Sequence, residues 1–425
     1  MRGGWLAGVL AAGLGGMPDT QGHATGADER HVVAAEPVSF EDVLGLAEAS
    51  PYPSALREAA AEKQGRDRTA RRLTQGPQIL VMPGARVAPA PNRGFEFQAS
   101  VMQPWSLEHY GRRRLETARA ETEVLQVRAR AVALEQRLAA AHAWVQLWAA
   151  EHQLALVEAQ LEIRRGSLER LREAQVGGVA TFADVAQGEA KLAATEATVV
   201  AARGMVHDRG LRLAAELARG GQVLRTSGEP PDPVLPSERE LASRFAEVHA
   251  LPQVALARLT SRWERARAVE AKAAAGTTMS AGMAVQREGT TDVLVFGSVG
   301  VQVPWSRAQT TVASHLAQAR IAEGEEAMLR QRLAAQLGTV LHELEHTRRR
   351  LQVLRERVLP AAEALVAARE AAMSVGETTW VLLLDAQDQH AEARLAEQDA
   401  AAAWLWARIE AWLYLELFLD AGGQG

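Results

Sequence analysis

Residues 101–116 read VMQPWSLEHYGRRRLE, and residues 301–316 read VQVPWSRAQTTVASHL. Both contain Pro-Trp-Ser, as Pro104-Trp105-Ser106 and Pro304-Trp305-Ser306, 200 residues apart. Each phrase closes an alternating stretch. Before the first, Phe95, Phe97, Ala99 and Val101 alternate with Glu96, Gln98 and Ser100. Before the second, Val293, Val295, Val299, Val301 and Val303 alternate with Asp292, Ser298, Gly300 and Gln302. Period two with one apolar and one polar side predicts strands. Each has a partner upstream: QILVMPGARVA from Gln78 across turn residues Pro91-Asn92 and Gly94, and Met279, Ala281, Met283 and Val285 across the polar turn Arg287–Asp292. The expected strand regions are about 78–103 and 278–303.

Downstream of each phrase the texture changes. From Trp105 to Gln175 there is no proline, and glycine occurs only at Gly111 and Gly166. Val124, Val127, Ala131, Leu134, Leu138, Ala141, Val145 and Trp148 follow 3-4-3-4 spacing, a heptad seam. A helix over about 106–175 is a rod about 105 Å long at about 1.5 Å per residue. VGGVAT from Val176 breaks it, and a second helix is expected over about 182–218. The later half carries Leu333, Leu337, Val340, Leu344, Leu351, Leu354 and Val358 on one stripe, predicting a helix over about 306–374. SVGETT then leads into a last helix over about 377–418. Pro preceding the first helical turn, with Ser106 or Ser306 as cap, is expected at each strand-to-helix junction.

Other landmarks keep nearly the same offset, 201, 198 and 198 residues. Pro51 pairs with Pro252, Gly178 with Gly376, and Thr181 with Thr379. The chain therefore reads as a duplication of helix, hairpin, very long helix, turn and helix. The expected division is a signal peptide at 1–24, a first repeat at 25–226, a linker at 227–236, a second repeat at 237–420 and a tail at 421–425. Ser39, with Glu41 and Asp42 behind it, is a predicted helix cap.

Composition narrows the function. Aromatic content is 5%, and the net charge of −5 leaves no basic block of the kind nucleic acid requires. With no cysteine, disulfides, thiol catalysis, cysteine zinc sites and a lipid anchor on cysteine are excluded. Arg2, the apolar run WLAGVLAAGLGGM and Gly22–Ala24 form a three-part secretory signal, too short to span a bilayer. No later stretch reaches about 18 uninterrupted apolar residues.

Four amphipathic strands cannot close a membrane barrel, which needs about eight, and open edges invite aggregation. Several chains each contributing two hairpins would remove the edges. VSFEDVLGLAEASPYP, VGVQVPWS, VGGVATFADV and VLPAAEALVAAREAAMSVGETTWVLLLDAQ, in this order and duplicated, resemble the TolC-like outer membrane factors, in the style of the heavy-metal and multidrug efflux subgroup. That resemblance implies a mostly α protein with a membrane β-barrel part. It implies a homotrimer whose twelve-stranded barrel continues into a periplasmic α-helical barrel, a passive exit duct in the outer membrane of a double-membrane bacterium. It implies docking to a periplasmic adaptor (a membrane fusion protein) and an inner-membrane pump, contact with outer-membrane lipid, no enzyme activity and no cofactor. Gly177, Gly178, Thr181, Asp184, Gly376 and Thr379 resemble the adaptor-docking tip turns. Asp385, nine residues after Gly376, resembles the aspartate that rings the closed pore. Thr378 stands where some relatives carry an arginine, so a latch of that kind is not expected. Pro104, Trp105, Pro304 and Trp305 fall at the barrel–helix junctions, where Trp suits either a membrane interface or a packing role.

One motif points elsewhere. His342-Glu343-Leu344-Glu345-His346 spells H-E-x-x-H, which on a helix puts two imidazoles on one face with Glu343 as a base for zinc-bound water. Glu356 or Glu363 could be a third ligand only if the rod bent sharply. A zinc metallopeptidase is thus the alternative of a different class, and a periplasmic coiled-coil adaptor is another. The four amphipathic strands argue against the adaptor; against the peptidase stands the motif's place in a heptad rod, with Leu344 on the apolar stripe, the histidines facing away from it and TRRRLQ following. Trp404, Trp406, Trp412, Tyr414 and Phe418 make the last helix either an interfacial membrane helix or, by the family analogy, part of a belt packed around the tunnel.

Overall fold

The computed structural model describes residues 36–69, 76–86, 94–107, 109–288, 292–303 and 308–422. The signal segment and the second Pro-Trp-Ser phrase lie outside them. In chain order the elements are β1 (Glu36–Val38), α1 (Phe40–Glu48), α2 (Pro51–Thr69), β2 (Gln78–Arg86), β3 (Gly94–Ser106), α3 (Tyr110–Val176) and α4 (Phe182–Glu216). There follow β4 (Leu224–Thr226), α5 (Glu238–Phe245), α6 (Pro252–Ala274), β5 (Thr278–Glu288), β6 (Asp292–Gln302), α7 (Ala308–Val353), α8 (Leu359–Ser374) and α9 (Trp380–Gly422).

α3 has 67 residues, about 100 Å at about 1.5 Å per residue. It packs along α4, α6 and α9, so its seam is buried on more than one side. Three-four spacing over this length lets each heptad bury an apolar pair against its neighbours. α7 and α8 form the second rod, joined by a π-helical turn at Leu354–Val358 that the heptad reading did not anticipate. Pro360, at the start of α8, has no N–H for the Glu356 carbonyl and its ring crowds that carbonyl, so the ladder is broken there.

Ser39 caps α1 as expected, accepting from the Asp42 N–H at 3.1 Å. The first Pro-Trp-Ser phrase behaves differently. Trp105 and Ser106 are still paired in the sheet, with Met279 and Thr278, and α3 starts only at Tyr110. His109 holds the cap position in left-handed geometry with no side-chain cap. The correction to the expected Ser106 cap has a simple cause: β5 supplies a partner up to residue 106, and the ladder outcompetes the cap.

A belt surrounds the middle of the rods. β1 and β4 pair in parallel, Glu36 with Leu224 and Val38 with Thr226. The indole N–H of fully buried Trp144 donates to the Val38 carbonyl at 3.1 Å, and Phe40 meets its ring edge-on at 5.3 Å. Gly210 allows α4 to approach β4, since a methyl there would lie 2.6 Å from the Leu224 carbonyl oxygen. On the other side Leu134, Phe245, Leu251, Leu337, Tyr414 and Phe418 form a second core. The aromatic end of α9 is therefore packed into the belt. Among the described residues no helix is long and apolar enough to cross a membrane.

Candidate functional site

The four long strands form one antiparallel sheet in the order β2-β3-β5-β6. Its registers align side chains in rows across all four strands. Val81, Ala99, Val285 and Val295 form one row. Ile79, Val101 and Met283 lie in the next, and Trp105, Met279 and Val301 nearer the helices. Alternate positions turn to opposite faces, so the other face takes Gln98 with Gln286, Ser100, Ser280 and Ser298. The apolar face is open: Ile79, Val81, Val101, Trp105, Met283, Val295, Val299 and Val301 are all exposed. Among the described residues β2 and β6 have free outer edges. Gly282 lets β5 approach β3, because any Cβ there would collide with the Val101 carbonyl.

At the far end of the rods are two turns built alike. In the first, Gly178 has φ +78°, its N–H donates to Gln175 O at 3.0 Å, and Val179 N–H donates to Ala174 O at 2.8 Å. In the second, Gly376 has φ +75°, its N–H donates to Met373 O at 3.2 Å, and Glu377 N–H donates to Ala372 O at 2.9 Å. Both are Schellman closures, in which a left-handed glycine returns two N–H groups to the last helical carbonyls. Gly177 precedes the first left-handed position.

The following helices start differently. Thr181 and Asp184 make a reciprocal cap on α4: Thr181 N–H donates to the Asp184 carboxylate at 2.8 Å, and Asp184 N–H donates to Thr181 Oγ1 at 3.2 Å. The hydrogen bonds from the Thr181 side chain, then from its backbone, hold the Asp184 carboxyl below its ordinary range. Thr379 offers only its carbonyl, to Leu383 N–H at 3.3 Å. Val176, Val179 and Phe182 are 91%, 79% and 80% exposed, so the first turn presents an apolar tip. Thr378 accepts from Arg369 at 3.4 Å, so a basic group reaches this turn from α8.

Asp385 sits on the second turn of α9 with its side chain half exposed. Lys191 of α4 reaches it at 2.5 Å and Asp388 at 2.8 Å. Asp388 also pairs with Arg164 of α3, whose side chain is 2% exposed. Arg164 donates to the Leu384 carbonyl at 3.3 Å and to Gln387 at 3.4 Å. Burial lowers the Arg164 pKa and the field of Asp385 opposes that shift; guanidinium stays charged regardless. Two carboxylates and two cations thus tie three helices together. Arg164, Lys191 and Asp388 escaped sequence reading. The i, i+3 spacing of Asp385 and Asp388 was the available signal, but their partners are about 200 residues away.

His342 and His346 stack with ring centroids 5.9 Å apart on an exposed face of α7. Glu363 faces His390 and Arg394 at 3.7 Å, and Glu356 accepts from Gln352 at 3.0 Å. Among the described residues no three histidine, aspartate or glutamate side chains converge as a metal site. The pair has no third ligand within the described chain.

No protein-family model matches the sequence, and no curated protein sequence matches it significantly. Solved structures do. The open state of the Neisseria gonorrhoeae MtrE outer membrane channel superposes with a TM-score of 0.70 at 14% identity, over 89% of this chain and 88% of that one. The Campylobacter jejuni CmeC outer membrane channel gives 0.68 at 12%, over 89% and 85%. The outer membrane protein VceC of Vibrio cholerae gives 0.67 at 17%, over 88% and 95%. The likeness runs almost end to end and is one of architecture: the chain has the fold of the outer membrane channels.

Proposed function

We propose that this chain is one protomer of a homotrimeric exit duct in the outer membrane, the passive outer section of a tripartite efflux or type I secretion system. The observation that carries the reading is the four-stranded sheet, with one apolar face in solvent and both edges unpaired among the described residues. Such a sheet is unstable in water and complete only when three copies close a twelve-stranded barrel in lipid. Likeness to MtrE, CmeC and VceC supports the same reading.

The repeats at 25–226 and 237–420 then act as two similar walls, following export directed by residues 1–24. Gly177, Gly178, Thr181, Asp184, Gly376 and Thr379 form the tips that dock a periplasmic adaptor, itself bound to an inner-membrane pump that supplies the energy. The exposed Val176, Val179 and Phe182 suit such a contact. Asp385 lines the pore constriction, its charge offset in each protomer by Lys191. Pro104 and Trp105, and by duplication Pro304 and Trp305, stand at the barrel–helix junctions. The channel carries no catalytic group and no cofactor. The neighbours of known structure are channels rather than enzymes.

The test is to separate the two membranes, extract the protein in detergent, and measure its mass by light scattering and its conductance in planar bilayers. An outer-membrane trimer with a discrete conductance is expected. A soluble monomer holding stoichiometric zinc overturns the proposal.

A further inference from the structure

We infer that the exposed triplet Arg112-Arg113-Arg114 is a binding surface for anionic phospholipid headgroups, seating the first strand–helix junction against the membrane. The inference rests on the reading of the sheet as membrane-spanning. Three observations lead to it.

The triplet follows closely on the end of the apolar face along the chain. Trp105 is exposed on that face, sheet pairing runs to Ser106, and Leu107, also exposed, still donates its N–H to Thr277 O at 3.1 Å. α3 begins three residues later. Arg112 is its third residue, within about 5 Å of its start along the axis. A bilayer headgroup layer is about 5–8 Å deep on each side. The Cα–Cβ bonds of a helix lean toward its N-terminus, so these long side chains lean back toward the sheet and its lipid.

The triplet is also a poor choice for the chain's own stability. Basic groups in a first helical turn oppose the helix dipole. Here no acidic residue lies in that turn and His109 provides no side-chain cap. Glu116 accepts from Arg113 at 2.9 Å and from Arg112 at 3.3 Å. Arg114 has no carboxylate partner among the described residues. The stretch 107–116 holds these three arginines and two glutamates, Glu108 and Glu116, so one net positive charge remains at the junction. A violation of local preference that the chain compensates only in part is the mark of a functional position, and what completes the compensation here is an anion from outside.

Finally, the duplication provides a contrast. Two hundred residues on, the corresponding helical positions are Val312, Ala313 and Ser314. The second helix starts without the triplet, so building such a helix does not require it. Juxtamembrane basic groups bind anionic lipid with about 1 kcal/mol per charge. One net charge corresponds to a preference on the order of five-fold for anionic over zwitterionic lipid.

The experiment uses the full mature protein in vesicles of phosphatidylethanolamine with one-third phosphatidylglycerol. The complex is released, and the ratio of the two lipids retained is measured by mass spectrometry. The wild type is expected to retain phosphatidylglycerol preferentially. The variant R112V/R113A/R114S, which borrows the second repeat's residues, loses that roughly five-fold preference, while R112K/R113K/R114K keeps most of it. Should the first variant fail to assemble, Arg114→Gln, which has no carboxylate partner to lose among the described residues, is expected to cost several-fold. Inserted trimers with equal retention in wild type and variants overturn this inference and leave the duct reading intact. A protein that does not enter vesicles at all overturns both.

Discussion

Replacing Asp388 with Asn isolates the contribution of the charge cluster between α3, α4 and α9. The substitution keeps size and hydrogen-bonding capacity but leaves the Arg164 guanidinium, only 2% exposed, without its paired carboxylate. Its remaining acceptors, the Leu384 carbonyl and Gln387, stand at 3.3 Å and 3.4 Å, long for charge-assisted bonds. Breaking a buried pair by removing one partner costs about 3–5 kcal/mol. Asp388 is itself 37% exposed and Asp385 still lends its field, so about 3 kcal/mol is expected. Asp385→Asn is the control. Lys191 keeps Asp388 at 2.8 Å and is partly solvated, so the loss should stay below about 1 kcal/mol. The double change Arg164→Met with Asp388→Leu removes both charges and should restore stability to near the wild type. Hydrogen exchange of the amides at 380–390 reads local release of α9. About 3 kcal/mol corresponds to roughly a hundred-fold faster exchange in D388N, where opening limits exchange thermodynamically. Acceleration below about five-fold in D388N, or a double variant as fast as D388N, would refute the argument that a buried unpaired charge dominates here.

Gly178→Val should destabilise the first tip by about 1–2 kcal/mol, because a β-branched residue at φ +78° is strained; a disulfide-free thermal melt of wild type and variant checks it. Gly282→Val should prevent barrel assembly, since its Cβ would collide with the Val101 carbonyl; detergent-resistant trimer on a gel would count against this. Glu410 is a pH probe: burial raises its pKa, so the folded state binds its proton more tightly than the unfolded one. Its contribution is favourable below the ordinary glutamate value and is lost as pH rises through the raised value. Glu410→Gln should therefore stabilise the protein at neutral pH and flatten its stability profile above about pH 4.5, read by denaturant midpoints across pH.

The long elements were legible because their periodicity repeats. Alternation over eleven residues in β5 and β6, and three-four spacing along α3, carry the signal many times over. β1 and β4 have three residues each and no period to read; they exist because Trp144 and α4 create a slot for them. Pro360 was legible and went unread: a proline inside a heptad stripe marks a broken ladder, and the π turn is where it broke. At the tips, glycine and Thr-x-x-Asp chemistry is local, so the first cap could be read from its residues. The pairing of Arg164 and Lys191 with Asp388 depends on how far α9 runs alongside α3 and α4. Spacing within one helix does not report that. The H-E-x-x-H phrase shows the converse, a local pattern whose chemistry needs a third group from elsewhere in the fold.

The short parallel pairing of β1 with β4 has a consequence for how the protein is made. Main-chain bonds run from Glu36 N–H to Val223 O and from Ser227 N–H to Val38 O. They join the two ends of a segment that contains both α3 and α4. Such a closure cannot form until nearly two hundred residues have emerged and doubled back, and loop closure over that distance is slow. Its core is finished from the second half, because Leu405, Ile409 and Leu413 of α9 are buried in one cluster with Val38, Trp144 and Leu224. The belt is therefore completed by the last helix, after both strands of the second hairpin have been made. Chain order here serves as a timetable: the strands that must meet lipid are made before the helix that closes the belt.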